Sequence, residues 1–205
     1  MKHLDLFSGI GGFALAASWV WGEEHDIHSF VEIEPFCQKV LKKHWPDVPI
    51  HSDIKEYRHD GTAIDLLTGG FPCQPFSSAG QQRSKEDDRY LWPEMLRAIR
   101  EIQPTWVVGE NVLGIINWNE GLVFDEVQTD LENEGYEVQT YILPAASVNA
   151  PHQRYRTWFV AYSENDGLRR ESELRKKVGI QERSVHQRKG ERRDEIRSKS
   201  ERHSK

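Results

Sequence analysis

Strand-like and helix-like segments alternate along the first 163 residues of this 205-residue chain. Short apolar runs predict strands, and apolar residues at three- and four-residue spacing predict the helices between them. The strand candidates are residues 3–7, 27–33, 65–68, 105–109, 136–143 and 157–162, and the helix candidates are residues 13–20, 35–41, 92–102 and 122–131. Repeated strand–helix units of this length predict an α/β fold with a mainly parallel, doubly wound sheet.

Charge and apolar content divide the chain near residue 163. Residues 1–163 carry 13 basic and 24 acidic side chains and every aromatic residue, whereas residues 164–205 carry 14 basic and 9 acidic ones. The second segment has only six aliphatic side chains larger than alanine. That is too few to offset an ordering entropy of about 1–2 kcal/mol per residue. We therefore predict one folded domain at 1–163 and a charged, mostly disordered tail at 164–205.

The composition disfavours membrane and secreted proteins. No apolar run approaches the roughly 18 residues needed to span a bilayer, and the N-terminus is too polar for a signal peptide. Two cysteines, Cys37 and Cys73, provide neither a disulfide framework nor a zinc site. Cys37 shares a predicted helix face with Phe36, Val40 and Leu41, which predicts that all four pack against the core. The sequence thus predicts a cytoplasmic protein without a membrane or metal partner.

A glycine-rich turn follows the first predicted strand. Gly9, Gly11 and Ala14 match the G-x-G-x-x-G/A pattern, in which the first glycine makes a tight turn, the second lets a ligand approach the backbone and the third small residue lets the helix pack on the strand. Glu32 ends the next predicted strand 23 positions after Gly9, close to the roughly 20 at which a carboxylate meets ribose hydroxyls. No basic residue lies in the turn, which favours a neutral or zwitterionic nucleoside cofactor over a phosphate-rich one. The alternative is a glycine turn without a ligand.

Cys73 follows another predicted strand and stands between Pro72 and Pro75. Strand carboxyl ends are where doubly wound sheets build their sites, and a thiol with a pKa near 8.5 is already a capable nucleophile at neutral pH. Glu110 closes a second strand, and Arg154 and Arg156 precede the last one. These residues predict a reactive site, although each alone is compatible with a buried thiol, a surface acid or a solvated basic cluster. A thiol protease or redox couple is disfavoured because neither a second cysteine nor a Cys–His pair lies nearby.

Taken together, these motifs resemble those of the DNA (cytosine-5)-methyltransferases over about residues 3–163. The segment Asp5-Leu6-Phe7-Ser8-Gly9-Ile10-Gly11-Gly12 resembles that family's S-adenosylmethionine loop, Pro72-Cys73-Gln74 its catalytic signature and Glu110-Asn111-Val112 its catalytic acid motif. The resemblance implies a Rossmann-like class I methyltransferase fold with S-adenosylmethionine as cofactor. The implied cofactor-binding residues are Phe7, Ser8, Gly9, Gly11, Gly12, Glu32, Ile33, Asp53, Ile54 and Leu91. The implied substrate-loop residues are Pro72, Gln74, Ser77, Arg89 and Asn111.

The resemblance also implies a mechanism on double-stranded DNA. Cys73 would add to carbon 6 of a flipped-out cytosine, so that carbon 5 gains the electron density needed to take a methyl group. Glu110 would bind or protonate ring nitrogen 3, and Arg156, helped by Arg154, would polarise the base carbonyl. The implied system is bacterial or phage-encoded restriction–modification.

Two departures from the family pattern affect this interpretation. His152 stands where the family usually has glutamine, which we interpret as a tolerated variant. Neither a target-recognition region nor a closing Gly-Asn motif is visible before Lys205. We therefore expect a truncated or split enzyme in which a second subunit or a downstream segment supplies target recognition. An inactive remnant that binds cofactor, and an RNA cytosine-5 methyltransferase, remain alternatives.

Overall fold

The computed structural model describes residues 1–72 and 90–163. The chain divides into the units Met1–Glu164 and Asn165–Lys205, and all the described residues belong to the first. Cys73, Gln74, Ser77 and Arg89, like the predicted tail, lie outside the described residues. Their predicted roles therefore stay predictions.

Seven strands and four α-helices make up the described part of the chain. The strands are β1 Lys2–Leu6, β2 Asp26–Val31, β3 Ile50–His51, β4 Leu66–Gly69, β5 Trp106–Val112, β6 Tyr136–Pro144 and β7 Tyr155–Ser163. The helices are α1 Gly12–Trp21, α2 Pro35–His44, α3 Trp92–Ile102 and α4 Leu122–Asn133. Short 3-10 turns lie at Gly22–Glu24, Leu113–Ile116, Trp118–Gly121 and Ala145–Val148.

The strands form one sheet in the order β3-β2-β1-β4-β5-β7-β6. The first five strands pair in parallel, and β7 runs antiparallel to both β5 and β6. The mainly parallel α/β sheet predicted from the sequence is thus confirmed. The chain order reverses between β1 and β4, and the crevice at such a switch point is where open α/β sheets bind ligands.

Helix α3 shows why the apolar pattern determines the packing. Its buried residues recur at three- and four-residue intervals, so one face of the helix lies against the sheet. Trp92 at its start is 1% exposed and Met95 is fully buried. The indole Nε1 of Trp92 donates to Asp130 Oδ2 of α4 at 2.8 Å, so the two helices are joined by a polar contact as well as by packing.

The structure corrects three details of the predicted elements. Strand β5 extends to Val112, so Glu110 lies within the strand instead of after its end. Strand β3 was missed because a two-residue strand offers no period to detect. The predicted apolar face of α2 was wrong in part, since Leu41 is fully buried while Phe36 is 68% exposed and Cys37 is of intermediate exposure.

Among residues 1–72 and 90–163, no helix is both long enough and apolar enough to cross a membrane.

Candidate functional site

The turn between β1 and α1 is built on left-handed backbone. Phe7, Gly9 and Gly11 have φ angles of 52°, 55° and 88°. A Cβ atom on Gly11 would lie 2.5 Å from the Trp45 ring, whereas a Cβ on Gly9 or Gly12 would meet nothing within 4 Å. Gly11 is therefore required by packing against Trp45. The open approach that the sequence analysis assigned to the second glycine lies instead at Gly9 and Gly12.

Glu32 fastens this turn to the end of β2. Its Oε2 accepts a hydrogen bond from the Gly9 amide at 2.6 Å, and its Oε1 accepts one from the Glu34 amide at 2.7 Å. The residue is 8% exposed. Each carboxylate oxygen has a second lone pair, so Glu32 can position the glycine turn and still accept a hydrogen bond from a ligand hydroxyl.

The other predicted cofactor-binding residues differ in how far they are exposed to a ligand. Ile33 is 69% exposed directly after Glu32, so its side chain is available to the flat face of a ring. Asp53 accepts the Lys55 amide at 2.9 Å, and Ile54 is 4% exposed, so its side chain belongs to the core. The Leu91 amide donates to the Pro72 carbonyl at 3.2 Å, joining the end of the β4 segment to the start of α3.

An ion pair between β5 and β7 forms the polar centre of the second cluster. Arg156 Nε lies 2.7 Å from Glu110 Oε1, and both side chains are about three-quarters buried. Burial raises the pKa of the Glu110 carboxyl, and the charges of Arg156 and Arg154 oppose that rise. A carboxyl balanced in this way suits proton transfer or hydrogen bonding to a ring nitrogen.

The backbone that leads towards Cys73 is fixed to β5, the strand that carries Glu110. Asn111 Nδ2 donates to the Phe71 carbonyl at 3.0 Å, and Asn111 is 4% exposed. A Cβ atom on Gly70 would lie 3.3 Å from Glu110 Oε2. Gly70 therefore lies directly beside the Glu110 carboxylate, at the start of the segment Gly70–Pro72.

A cavity of about 640 Å³ opens beside the ion pair. Of the predicted site residues it brings together Gly12, Glu110, Arg154 and Arg156, but Glu32 is not part of its lining. The remaining walls come mainly from α1 and the Ala145–Val148 turn and are mostly apolar. Trp19 and Val148, on those two elements, are 77% and 78% exposed.

A chain of buried polar groups behind the glycine turn was missed by the sequence analysis. Thr68 Oγ1 donates to Asp5 Oδ1 at 2.6 Å, His3 Nε2 lies 2.7 Å from Thr68 Oγ1, and His3 Nδ1 lies 2.9 Å from His25 Nε2. Asp5 Oδ2 has no hydrogen-bond partner among the described residues. Burial raises the pKa of Asp5 to about 7 and lowers the pKa of His3 to about 3. The sequence signal that could have indicated this network is Asp5, an acidic residue between two leucines of the first predicted strand.

Comparisons with known proteins agree with this architecture. The family model for C-5 cytosine-specific DNA methylases matches residues 1–205. The Type II methyltransferase M.NgoMIV of Neisseria gonorrhoeae is 35% identical over 160 residues, covering 77% of this chain and 50% of that protein. The Type II methyltransferase M.AquIA of Picosynechococcus is 33% identical over 178 residues, covering 78% of this chain and 71% of that protein.

The fold comparison gives the same result. The crystal structure of the Dnmt2 methyltransferase of S. pombe superimposes with a TM-score of 0.65 at 25% identity, covering 80% of this chain and 51% of that one. The predicted Rossmann-like methyltransferase fold is thus confirmed. This chain spans 50%, 41% and 38% of the length of three of the curated relatives it matches.

Proposed function

Because this chain belongs to the C-5 cytosine-specific DNA methylase family, we propose that it forms the catalytic part of an enzyme that methylates carbon 5 of cytosine in double-stranded DNA. The observation that carries the proposal is the Glu110–Arg156 pair, 2.7 Å apart, beside the Gly70–Pro72 segment that leads directly to Cys73. A carboxyl, a guanidinium and a nucleophile are the three groups that activation of cytosine requires.

The residues of the glycine turn fit S-adenosylmethionine. The backbone at Gly9 and Gly12 is open to a ligand, Glu32 has lone pairs for ribose hydroxyls, and the exposed Ile33 offers an apolar surface to an adenine ring. When bound, this cofactor supplies a methyl group on a cationic sulfur as the electrophile. Asp53 would accept from the adenine edge, and Phe7, Ser8, Gly11, Ile54 and Leu91 would shape the pocket.

The chain's own residues would activate the base. The Cys73 thiolate adds to carbon 6, and the electron pair displaced from the ring double bond makes carbon 5 nucleophilic. Glu110 donates a hydrogen bond or proton at ring nitrogen 3, where negative charge develops, and Arg156 with Arg154 binds the base carbonyl. After carbon 5 has been methylated, its proton leaves to a base, the ring double bond re-forms and the Cys73 thiolate is expelled.

Asn111 holds the backbone that leads into the proposed substrate loop. Its contact with the Phe71 carbonyl holds the backbone two residues before Cys73. We assign to that loop Pro72, Gln74, Ser77 and Arg89 as well.

We further propose that residues 1–163 are the catalytic domain and that another polypeptide segment, downstream or in a second subunit, reads the DNA sequence. The chain covers half of M.NgoMIV. The cavity beside Glu110 also has mostly apolar walls, and Trp19 and Val148 on its flanking elements are largely exposed. These features suit an additional segment packed beside α1. A cytoplasmic restriction–modification role fits the Type II methyltransferase relatives from bacteria.

Duplex DNA that contains 5-fluorocytosine tests the proposal. The fluorine replaces the proton that must leave carbon 5, so a working enzyme stays covalently attached to the base. We expect an adduct that needs S-adenosylmethionine and is lost in Cys73→Ser but kept in Cys37→Ser. The chain is tested alone and together with a supplied candidate for the segment that reads the DNA sequence.

Three other results would each contradict the proposal. Cofactor binding by calorimetry without an adduct in either preparation identifies a cofactor-binding remnant. Competition by transfer RNA, but not by duplex DNA, identifies an RNA methyltransferase. An adduct that survives in Cys73→Ser excludes Cys73 as the nucleophile.

A further inference from the structure

A cluster of two histidines and an aspartate lies away from the proposed catalytic centre. His28 is in β2, and His59 and Asp60 belong to the connection between β3 and β4. One ligand atom from each residue lies within 4.8 Å of the other two. His28 precedes Glu32 by four residues, which corresponds to ~13 Å along an extended strand. The sequence predicts no metal site here, because His28 is distant in the chain from His59 and Asp60 and the three form no spacing motif.

The distances within the cluster are close to those of a coordination sphere. His28 Nε2 lies 3.7 Å from Asp60 Oδ1, and His59 Nδ1 lies 3.9 Å from the same oxygen. Ligand atoms bound tetrahedrally at ~2.0–2.1 Å from zinc are ~3.3–3.4 Å apart. The Asp60 side chain is 60% exposed, so its carboxylate can move by the few tenths of an ångström that are required.

The second nitrogen of His59 is already held in the manner of a metal ligand. His59 Nε2 lies 2.6 Å from the Thr62 carbonyl, so that nitrogen carries the proton and donates it. This leaves the lone pair on Nδ1, the atom that faces Asp60. Metal-binding histidines almost always donate their other N–H to a carbonyl or carboxylate in this way. The Thr62 amide in turn donates to Asp60 Oδ1 at 2.9 Å, which keeps the exposed carboxylate near the ring.

Two neighbouring groups are compatible with a cation. The Tyr57 hydroxyl oxygen lies 3.3 Å from His59 Nδ1, at the long end of hydrogen bonding, and its proton can turn away from that nitrogen. The Lys2 ammonium is the second of these groups, a positive charge near His28. It lies 3.2 Å from Asp26 Oδ2, so a carboxylate compensates its charge. The imidazole side chains are 17% and 5% exposed, and solvent reaches the cluster through Asp60.

We propose that His28, His59 and Asp60 bind a divalent transition-metal ion of the zinc class, with water completing the coordination. The two imidazole nitrogens favour Zn²⁺, Co²⁺ or Ni²⁺ over Mg²⁺ or Ca²⁺, which prefer oxygen ligands. The ion joins β2 to the chain segment that also carries Asp53 and Ile54. It therefore braces the connection that runs past the proposed cofactor site, and this role does not depend on catalysis.

Titration of the full, tag-free chain with Co²⁺ tests the site. We expect visible d–d absorption without the near-ultraviolet charge-transfer band of thiolate ligands, Zn²⁺ displacing the Co²⁺, and a higher thermal unfolding midpoint with Zn²⁺. His28→Gln and Asp60→Asn should each weaken binding at least tenfold. The control, His44→Gln, removes an exposed histidine of α2 and should bind within twofold of the unaltered chain. Circular dichroism without metal checks that each variant folds.

Several results would overturn the site. A thiolate charge-transfer band would place the ion on cysteine. Metal binding that is weakened equally in His44→Gln would indicate nonspecific binding to surface residues. Unchanged metal affinity in both His28→Gln and Asp60→Asn would exclude these residues as ligands. Absence of d–d absorption would exclude the site altogether.

Discussion

Asn111 Nδ2 donates to the Phe71 carbonyl at 3.0 Å, so the strand that carries the Glu110 carboxylate also holds the backbone two residues before Cys73. The amide oxygen of Asn111 is occupied as well, since it accepts the Val112 amide at 2.8 Å. One buried side chain thus ties the end of β4 to β5. The acid and the backbone that leads towards the proposed nucleophile are held by neighbouring strands of one sheet.

Replacing Asn111 by alanine should release the Phe71 backbone from β5, while β4 and β5 stay paired. The Phe71 carbonyl loses its donor, and an unpaired buried polar group costs about 1–3 kcal/mol. We expect the free energy of unfolding to fall by about that amount and adduct formation with 5-fluorocytosine DNA to slow more than cofactor binding weakens. Chemical denaturation and adduct kinetics measure the two effects.

The matched control for that variant is Asn133→Ala, at the exposed end of α4. It should stay within about 0.5 kcal/mol of the unaltered protein. If Asn111→Ala formed the adduct at the normal rate, Asn111 would have a purely structural role.

Replacing Glu110 by glutamine should remove the proton or hydrogen bond for ring nitrogen 3. General acid–base groups contribute about 10²–10⁴-fold, so adduct formation should fall by at least ~100-fold while S-adenosylmethionine binding stays unchanged. Glu137→Gln on β6 changes an exposed glutamate and should leave both unaffected. Normal adduct formation by Glu110→Gln would exclude it as the catalytic acid.

The sequence predicted most of the sheet because buried strands and amphipathic helices have distinct periods. Helix α3 has the bounds predicted from Trp92 to Ile102. Strand β3, by contrast, pairs over only Phe30–Ile50 and Val31–His51, too short for any period to appear. Its position depends on pairing with the neighbouring strand β2, and the local sequence of β3 does not encode that pairing.

The candidate site was predictable where a motif brings its residues together in the chain. Glu32 and Gly9 follow a known spacing, and the structure joins them by a 2.6 Å hydrogen bond. The Asp5–Thr68 contact is different, since it joins residues 63 positions apart that become neighbours only through the pairing of β1 with β4. Contacts of that kind require the tertiary fold.

The buried acid Asp5 should shape the pH dependence of stability. Its pKa is raised from 3.8 to about 7, so the folded chain keeps a proton that the unfolded chain releases. This contribution to stability is present below pH ~4 and is lost as the pH rises to ~7. The pKa of His3 is lowered from 6.5 to about 3, so its contribution is present above pH ~6.5 and is lost as the pH falls. Between pH ~4 and ~6.5 the two slopes oppose each other.

Asp5→Asn should therefore remove the contribution of Asp5 to the pH dependence of stability and leave the opposing contribution of His3 uncompensated. We expect the free energy of unfolding of this variant to rise with pH between ~4 and ~6.5 more steeply than that of the unaltered chain, by up to ~1.4 kcal/mol per pH unit. Urea denaturation at several pH values measures it. The exposed Asp47→Asn should keep the original profile, and a parallel profile for Asp5→Asn would show that Asp5 ionises normally.

Two adjacent glycines should respond in opposite ways to alanine. At Gly11 a Cβ would collide with Trp45 at 2.5 Å and the φ angle is +88°, so Gly11→Ala should lower the free energy of unfolding by about 1–3 kcal/mol. Gly12 begins α1 with open space around its Cβ position, so Gly12→Ala should keep or raise stability, by up to about 1 kcal/mol. That methyl group occupies the proposed cofactor approach, so S-adenosylmethionine should bind Gly12→Ala more weakly by calorimetry. Normal binding by Gly12→Ala would place the cofactor elsewhere, because a ligand that lies against this backbone cannot tolerate an added methyl group.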